Sequence, residues 1–182
     1  MGDTYQTIVD VRATESEAAG LARRVLGWLV DHGIVVSEPS DCVLGGEGYA
    51  PGTSYFNATR ESSSHLLGLR TNGLAIETKR TVFADWENEF ELLCDDCSGR
   101  FEFCWDAFGD AASEWHGATG PGMLSCPGCG STRPISAWRF EPPIAFGCLA
   151  FTFWNWPQLR EDFVESVSAQ LRHAVVVIWA KL

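Results

Sequence analysis

The spacing of apolar residues predicts an amphipathic helix near the start of the chain. Its apolar positions recur at intervals of three and four residues, which places them on one helical face: Ala18, Leu21, Ala22, Val25 and Leu29. Thr14 and Glu17 have the spacing of a capping box at its beginning, and Gly33 stands where a glycine cap ends a helix.

A second apolar stripe, with four-residue spacing, predicts another helix near the end of the chain: Leu159, Phe163, Val167 and Leu171. We expect this helix to begin near Pro157, because proline is tolerated in a first helical turn.

Short apolar segments on either side of these helices have the pattern of β-strands. Tyr5–Arg12 is rich in β-branched residues, and Cys148–Trp154 alternates between apolar and polar positions. Ala174–Lys181 is apolar at consecutive positions, so we expect a strand that is buried on both faces.

The stretch between the first helix and the cysteine-rich region is less regular. Ile34–Val36 predicts a short strand, and residues 40–64 are rich in Gly, Ser and Pro, which favours a loop. Leu66–Thr71 and Leu74–Phe83 flank Asn72-Gly73, a dipeptide typical of tight hairpin turns, so we expect a hairpin there.

The order of these elements predicts the fold class. Strand, helix and strands are followed, after a long intervening region, by strand, helix and strand. This order resembles the ferredoxin-like α+β sandwich, in which two helices cover a mainly antiparallel sheet. We therefore expect a core domain made of residues 1–84 and 139–182, with residues 85–138 as an inserted domain.

Two cysteine pairs in the predicted insertion indicate a metal site. Cys94 and Cys97 form one C-x-x-C pair, Cys126 and Cys129 form the other, and four thiolates suit tetrahedral Zn²⁺. The segment Cys126–Gly130 resembles a zinc-ribbon knuckle, and the resemblance extends over residues 94–130. It implies one structural zinc ion, held by these four cysteines.

An alternative metal site stays open in the sequence. Cys104 or His116 could replace one of the four thiolates and leave a coordination position for water, which would make the site catalytic. We expect Gly99 and Gly130 to let the backbone fold around the metal, whichever ligand set is used.

The charge of the chain indicates which kinds of partner it can bind. The net charge is −11, which argues against nucleic-acid binding, since that requires a basic surface. Ten Asp and Glu residues lie in residues 85–114, where Arg100 is the one basic residue. Asp106, Asp110 and Glu114 are four residues apart and share a helical face. With Trp105 and Trp115 they are our candidate partner-binding residues, since exposed aromatic residues are typical of protein interfaces.

The start of the chain lacks the pattern of a signal peptide, and its apolar runs are shorter than a membrane span, so we expect a soluble cytoplasmic protein without a membrane partner.

The leading hypothesis is a zinc-ribbon-containing protein-binding module with a basic partner. One specific version is an immunity protein, a small acidic inhibitor of a basic toxin. The alternative hypothesis is a metal- or thiol-dependent enzyme that uses the Gly45–Gly52 loop, Cys42 or His65.

Overall fold

The computed structural model describes residues 2–182, and these residues form two compact units. The first, here the sheet unit, comprises the described residues up to Arg80 together with Gly147–Leu182. The second, here the knuckle unit, comprises Thr81–Phe146. The domain organisation expected from the sequence stays a prediction, because a compact unit is not by that fact an independently folding domain.

The two units are built from α-helices and β-strands with the following bounds. In chain order they are β1 (Thr4–Asp10), α1 (Glu15–Asp31), β2 (Val35–Val43), β3 (Gly46–Pro51), β4 (Leu74–Glu77), β5 (Thr81–Phe83), β6 (Glu91–Cys94), β7 (Gly99–Glu102), α2 (Trp105–His116), β8 (Met123–Ser125), β9 (Thr132–Pro134), β10 (Arg139–Glu141), β11 (Ala145–Gly147), β12 (Leu149–Trp154), α3 (Glu161–Leu171) and β13 (Val175–Lys181). Short 3₁₀ helices lie at Tyr55–Asn57, Leu66–Gly68 and Ile135–Ala137.

The sheet unit is an α+β structure around one six-stranded sheet. The strand order is β13-β1-β12-β4-β3-β2, and neighbouring strands are antiparallel. Ile8 on β1 lies opposite Phe151 on β12, and both side chains belong to an apolar core that also contains the buried faces of α1 and α3. The predicted α+β class with a mainly antiparallel sheet is confirmed.

Helix α1 has the position and the buried face that the sequence predicts. The carboxylate of Glu17 accepts hydrogen bonds from the backbone N–H of Thr14 at 3.1 Å and from its hydroxyl at 2.6 Å. Gly33 has a φ of +66° and follows the helix, and the N–H of Ile34 bonds back to the carbonyl of Leu29, as in a glycine-capped helix end.

Helix α3 begins four residues later than predicted, because the segment around Pro157 has other hydrogen-bond partners. Gln6 is buried on β1, and its amide oxygen accepts the backbone N–H of Leu159 at 2.8 Å. Its amide nitrogen donates to the carbonyls of Trp156 and Pro157. These bonds hold the segment extended until Glu161, where the helix starts.

The prediction of a loop over residues 40–64 is wrong in its first part. Strands β2 and β3 form an antiparallel hairpin there, and Gly45 turns it with a φ of +79°. The polar composition misled the sequence prediction because this hairpin lies at the sheet edge, where most of the β2 side chains are exposed.

The predicted hairpin around Asn72-Gly73 is also wrong. Both residues donate their backbone N–H to the carbonyl of Cys42, and β4 pairs with β12 and β3 instead of with a preceding strand. Gly73 is required by crowding, since a Cβ there would lie 2.2 Å from the sulfur of Cys42. The glycine therefore permits close packing and not a left-handed turn.

Strand β13 is present as predicted, but its burial on both faces is not. It pairs with β1 on one side and forms an edge of the sheet. Ile178 and Ala180 are buried, while Val177 and Trp179 on the opposite face are exposed. The run of apolar residues therefore belongs to a half-buried edge strand, and Trp179 is not a core residue.

The knuckle unit contains several small sheets and one helix around its own apolar core. Its sheets are β10-β6-β7, β8-β9 and β11-β5, all of them two- or three-stranded. Phe108, Ala111 and Trp115 form the buried face of α2 and pack with residues of these sheets. No helix in the described part of the chain is both long and apolar enough to cross a membrane.

Candidate metal centre

Each cysteine pair lies at the turn of a short β-hairpin in the knuckle unit. Strands β6 and β7 pair so that Cys94 lies opposite Gly99, which leaves Cys97 in the turn. Strands β8 and β9 pair so that Ser125 lies opposite Thr132, and Cys126 and Cys129 lie in that turn. A C-x-x-C turn points both of its sulfurs to one side, so two such turns can face each other.

The structure brings the four sulfurs of these turns together. All of them lie within 4.8 Å of one another, a separation that lets one metal ion contact all four. Across the two hairpins, the sulfurs of Cys94 and Cys129 are 3.7 Å apart, and those of Cys97 and Cys126 are 3.8 Å apart. Cys94 and Cys126 are buried, while Cys97 and Cys129 are exposed.

The two turns share a backbone feature. The residue after the second cysteine is left-handed in both, namely Ser98 with a φ of +55° and Gly130 with a φ of +74°. We expected Gly99 as well as Gly130 to let the backbone fold around the metal, but the left-handed residue of the first turn is Ser98. Gly99 has no positive φ; instead, a Cβ on it would lie 2.5 Å from the ring of Phe101 and 3.2 Å from the sulfur of Cys97.

Phe101 packs against both turns, a contact that no local sequence pattern indicates. A Cβ on Gly128 in the second turn would lie 2.3 Å from the same ring. Two glycines from separate hairpins therefore leave room for one aromatic side chain beside the sulfurs. The ring lies against the backbone of both turns, and a side chain at either glycine would have to displace it.

The sulfurs lie in surroundings that favour negative charge at some positions and oppose it at others. Burial opposes ionisation of Cys94, but hydrogen bonds from the backbone N–H of Cys97 and from Ser131 lower its pKa to about 6. Hydrogen bonds to Ser131 likewise lower the pKa of Cys129. For Cys97, the backbone hydrogen bond of Gly99 is outweighed by desolvation and by neighbouring sulfurs, which raise its pKa to about 12.

Lowered pKa values at Cys94 and Cys129 beside a raised pKa at Cys97 are expected for closely spaced thiols, because ionisation of one thiol opposes ionisation of its neighbours. A bound divalent cation compensates the charge of thiolates, and a coordinating thiol is deprotonated outright. The donor set of four sulfurs, their separation and the N–H groups directed at them all fit a metal ion.

Two ion pairs involve the aspartates between Cys94 and Cys97. Arg133, on β9, pairs with Asp96 and also lies 4.4 Å from the ring centre of Trp138. Arg139, on β10, pairs with Asp95 at 2.9 Å. The Asp96 pair links the first cysteine turn to the strand that follows the second one. The carboxyl of Asp96 also hydrogen-bonds Ser131, which with Arg133 lowers its pKa.

The alternative ligands that the sequence left open lie elsewhere in the knuckle unit. Cys104 precedes α2, His116 ends it, and both side chains are exposed. Within residues 2–182, the group of side chains that could hold a metal ion consists of Cys94, Cys97, Cys126 and Cys129. The geometry therefore favours a site closed by four sulfurs.

The candidate partner-binding residues all lie on α2, but not on one surface. Asp106 and Asp110 are exposed, Glu114 is half-buried, and Trp105 is 54% exposed. Trp115 is 8% exposed and stacks edge-on against Phe146 at 5.2 Å, so its ring belongs to the core of the unit. Trp86, which the sequence prediction did not single out, is 46% exposed and lies 6.4 Å from Trp105.

The residues of the enzyme hypothesis lie in the β2–β3 hairpin and just before the 3₁₀ helix Leu66–Gly68 of the sheet unit. Cys42 is buried on β2, His65 is exposed, and the Gly45–Gly52 segment contains the second strand of the β2–β3 hairpin. A cavity of about 740 Å³ in the sheet unit is lined by other side chains, among them Trp156, Trp179 and Arg60. Arg60 there is paired with Glu161 at 2.8 Å.

Comparison with protein-family models, with curated proteins and with solved structures found no significant match to this chain. The metal centre is therefore interpreted from its own geometry.

Proposed function

We propose that the knuckle unit binds one structural Zn²⁺ ion and that this ion supports a surface for a basic protein partner. Four cysteine sulfurs are the usual ligand set of structural zinc, and they leave no position for water or substrate. Under this proposal the knuckle unit is a zinc ribbon inserted in a ferredoxin-like domain. The order of β13, β1, β12 and β4, with a helix after β1 and after β12, supports the second part of that description.

The charge balance of the knuckle unit carries the binding proposal. Thr81–Phe146 contains eleven Asp and Glu residues against three Arg. All three arginines are already paired, with Glu91, Asp95 and Asp96. The other eight carboxylates of the unit have no ion pair within the described residues. A surface with this excess attracts basic proteins and speeds their association.

The acidic knuckle unit also has exposed aromatic side chains, which are typical of a protein-binding surface and not of one that only contacts water. Trp86 and Trp105 have ring centres 6.4 Å apart, and each residue is about half exposed. Large aromatic side chains of this kind contribute most to the binding energy of protein interfaces. The most specific version of the proposal is a cytoplasmic immunity protein that inhibits a basic toxin. The same negative charge disfavours nucleic acid as the partner.

The proposal is tested by affinity purification of partners from the cells that make this protein, at low and at moderate salt. The bait is the zinc-loaded chain, and the variant bait carries Asp106→Lys and Asp110→Lys. A matched control carries Glu38→Lys and Glu47→Lys, which reverse two exposed charges in the sheet unit. We expect a basic protein that the variant loses and the control retains.

Loss of the same partner with both double variants would show that only net charge matters. Retention by both would show that the acidic face of α2 does not bind, and the proposal would then be wrong.

A further inference from the structure

Three glutamates lie in one row across the three-stranded sheet of the knuckle unit. Glu141 on β10 lies opposite Glu91 on β6, and Glu91 lies opposite Glu102 on β7. Directly opposed side chains in antiparallel strands have Cβ atoms about 5 Å apart, and like charges in this arrangement destabilise a sheet. Glu91 pairs with Arg100 at 2.6 Å, whereas within residues 2–182 neither Glu102 nor Glu141 has an ion pair.

A groove of about 410 Å³ adjoins this row. Its walls combine carboxylates with aromatic rings: Glu89, Glu91, Glu102, Phe90, Phe103 and Trp105. The ring of Trp105 lies edge-on to Phe103 at 4.7 Å and to Phe90 at 6.2 Å, which fixes its orientation while half of its surface stays exposed. The groove therefore offers a negatively charged wall next to an aromatic one.

These carboxylates do not converge on a single point. Among the described residues, a group of His, Cys, Asp or Glu ligand atoms that all lie within 4.8 Å of one another is found at the four cysteines and not here. A small divalent cation requires several oxygen ligands at about 2.0 to 2.6 Å. The groove is better suited to a larger cation that is planar and can contact carboxylates and rings at the same time.

We propose that this groove binds an arginine side chain of the basic partner. A guanidinium stacks on an aromatic face and donates several hydrogen bonds in one plane, whereas an ammonium is compact and strongly hydrated. The guanidinium stacks on Trp105 and donates to Glu102, which compensates the unpaired end of the glutamate row. This assignment rests on the proposed function and specifies which chemical group of the partner the knuckle unit recognises.

The test measures binding of a labelled tetra-arginine peptide to the zinc-loaded full chain by fluorescence anisotropy. Tetra-lysine carries the same charge, and tetra-citrulline has nearly the same shape without charge. Trp105→Ala and Glu102→Gln alter the groove. Trp179→Ala and Glu47→Gln remove an equally exposed tryptophan and an equal charge from the sheet unit. One zinc per chain in every variant verifies that the knuckle unit is intact.

We expect tetra-arginine to bind more tightly than tetra-lysine, and tetra-citrulline not to bind. Trp105→Ala and Glu102→Gln should each weaken tetra-arginine binding by about fivefold or more, and the two sheet-unit variants should leave it within about twofold. Ca²⁺ at millimolar concentration should not displace the peptide beyond the effect of equal ionic strength.

Equal weakening by all four variants, or equal affinity for the arginine and lysine peptides, would overturn the assignment, since binding would then depend on overall charge. Specific displacement by Ca²⁺ would assign the carboxylates to a metal ion and would also overturn it. Neither result would remove the partner found by affinity purification, so the groove can fail while the proposed function stands.

Discussion

At the scale of single residues, the cysteine turns contain one position that the backbone does not favour. Ser98 and Gly130 occupy equivalent places, both with a positive φ, but only glycine adopts this conformation without a steric cost. A serine there costs about 1 kcal/mol relative to glycine. The first turn is therefore under more backbone strain than the second.

Replacing Ser98 by glycine should stabilise the zinc-loaded protein. We expect Ser98→Gly to raise the free energy of unfolding by about 0.5 to 1 kcal/mol, because it relieves the left-handed strain. The reverse change, Gly130→Ala, should lower it by about 1 kcal/mol or more. Urea unfolding of both variants against the wild type measures this, and a loss of stability in Ser98→Gly would contradict it.

Gln6 shows why some single residues escape prediction from sequence. Its place in a strand was predictable, but its three hydrogen bonds join β1 to a segment about 150 residues away. Nothing near it in sequence indicates those partners. In the same way, the packing of Phe101 against Gly99 and Gly128 could not be predicted, because the two glycines lie in separate hairpins.

Removing the Gln6 amide should destabilise the sheet unit. Gln6→Leu leaves the N–H of Leu159 and two carbonyls without their partner, and each unmet buried group costs about 1 kcal/mol or more. We expect a loss of about 2 to 3 kcal/mol in unfolding free energy, measured by urea denaturation. Gln158→Leu, at an exposed position nearby, is the control and should change it by less than about 0.5 kcal/mol.

At the scale of elements, the sequence predicted what local patterns determine. Helix α1 and strand β12 were placed correctly because their apolar spacing matches their secondary structure. The start of α3 and the pairing of β4 were misplaced because distant residues, Gln6 and Cys42, take the hydrogen bonds concerned. The cysteine pairs were identifiable because C-x-x-C spacing is itself a local geometric constraint.

The ion pair between Asp96 and Arg133 should slow release of the metal, because it joins the two cysteine-bearing hairpins. We expect Asp96→Asn to speed zinc transfer to a chromogenic chelator by about fivefold. Glu87→Gln removes the same charge from an exposed position of the unit and should leave the rate unchanged. Equal rates for both variants would show that the pair does not hold the hairpins together.

The same pair predicts a direction for the effect of pH. The folded protein favours the Asp96 carboxylate, since hydrogen bonds with Ser131 and Arg133 lower its pKa. Its contribution is therefore complete above the ordinary value of an aspartate and is lost as the pH falls through the lowered value. The accelerating effect of Asp96→Asn on zinc release should accordingly be present at pH 7 and shrink toward the acid range.

Metal removal should affect the two units differently. In the knuckle unit the strands are only three or four residues long. The four clustered thiolates would repel one another without a metal ion to compensate their negative charge. The sheet unit has its own core of helix and strand residues. After chelation, hydrogen–deuterium exchange should show lost protection in β6–β9 and retained protection in β1 and β12. Uniform loss across both would contradict this expectation.

At the scale of the whole molecule, the excess of negative charge and the cysteine cluster belong to the same unit. The net charge of −11 and the acidic stretch in residues 85–114 were evident from the sequence, but the pairing of these charges was not. The fold brings Arg133 to Asp96 and Arg139 to Asp95, and it aligns three glutamates from three different strands. Composition could therefore indicate a basic partner, whereas only strand register reveals the arginine-binding groove that we propose.

In our proposal, a closed four-thiolate metal centre supports the acidic surface of the knuckle unit. The absorption spectrum of the cobalt-substituted full chain distinguishes a closed from an open site, because Co²⁺ reports both the type and the number of its ligands. We predict the spectrum of a tetrahedral site with four thiolates that does not change when imidazole or azide is added. A spectrum with nitrogen ligation, or one that responds to these additives, would contradict a closed site and would favour metal-dependent catalysis.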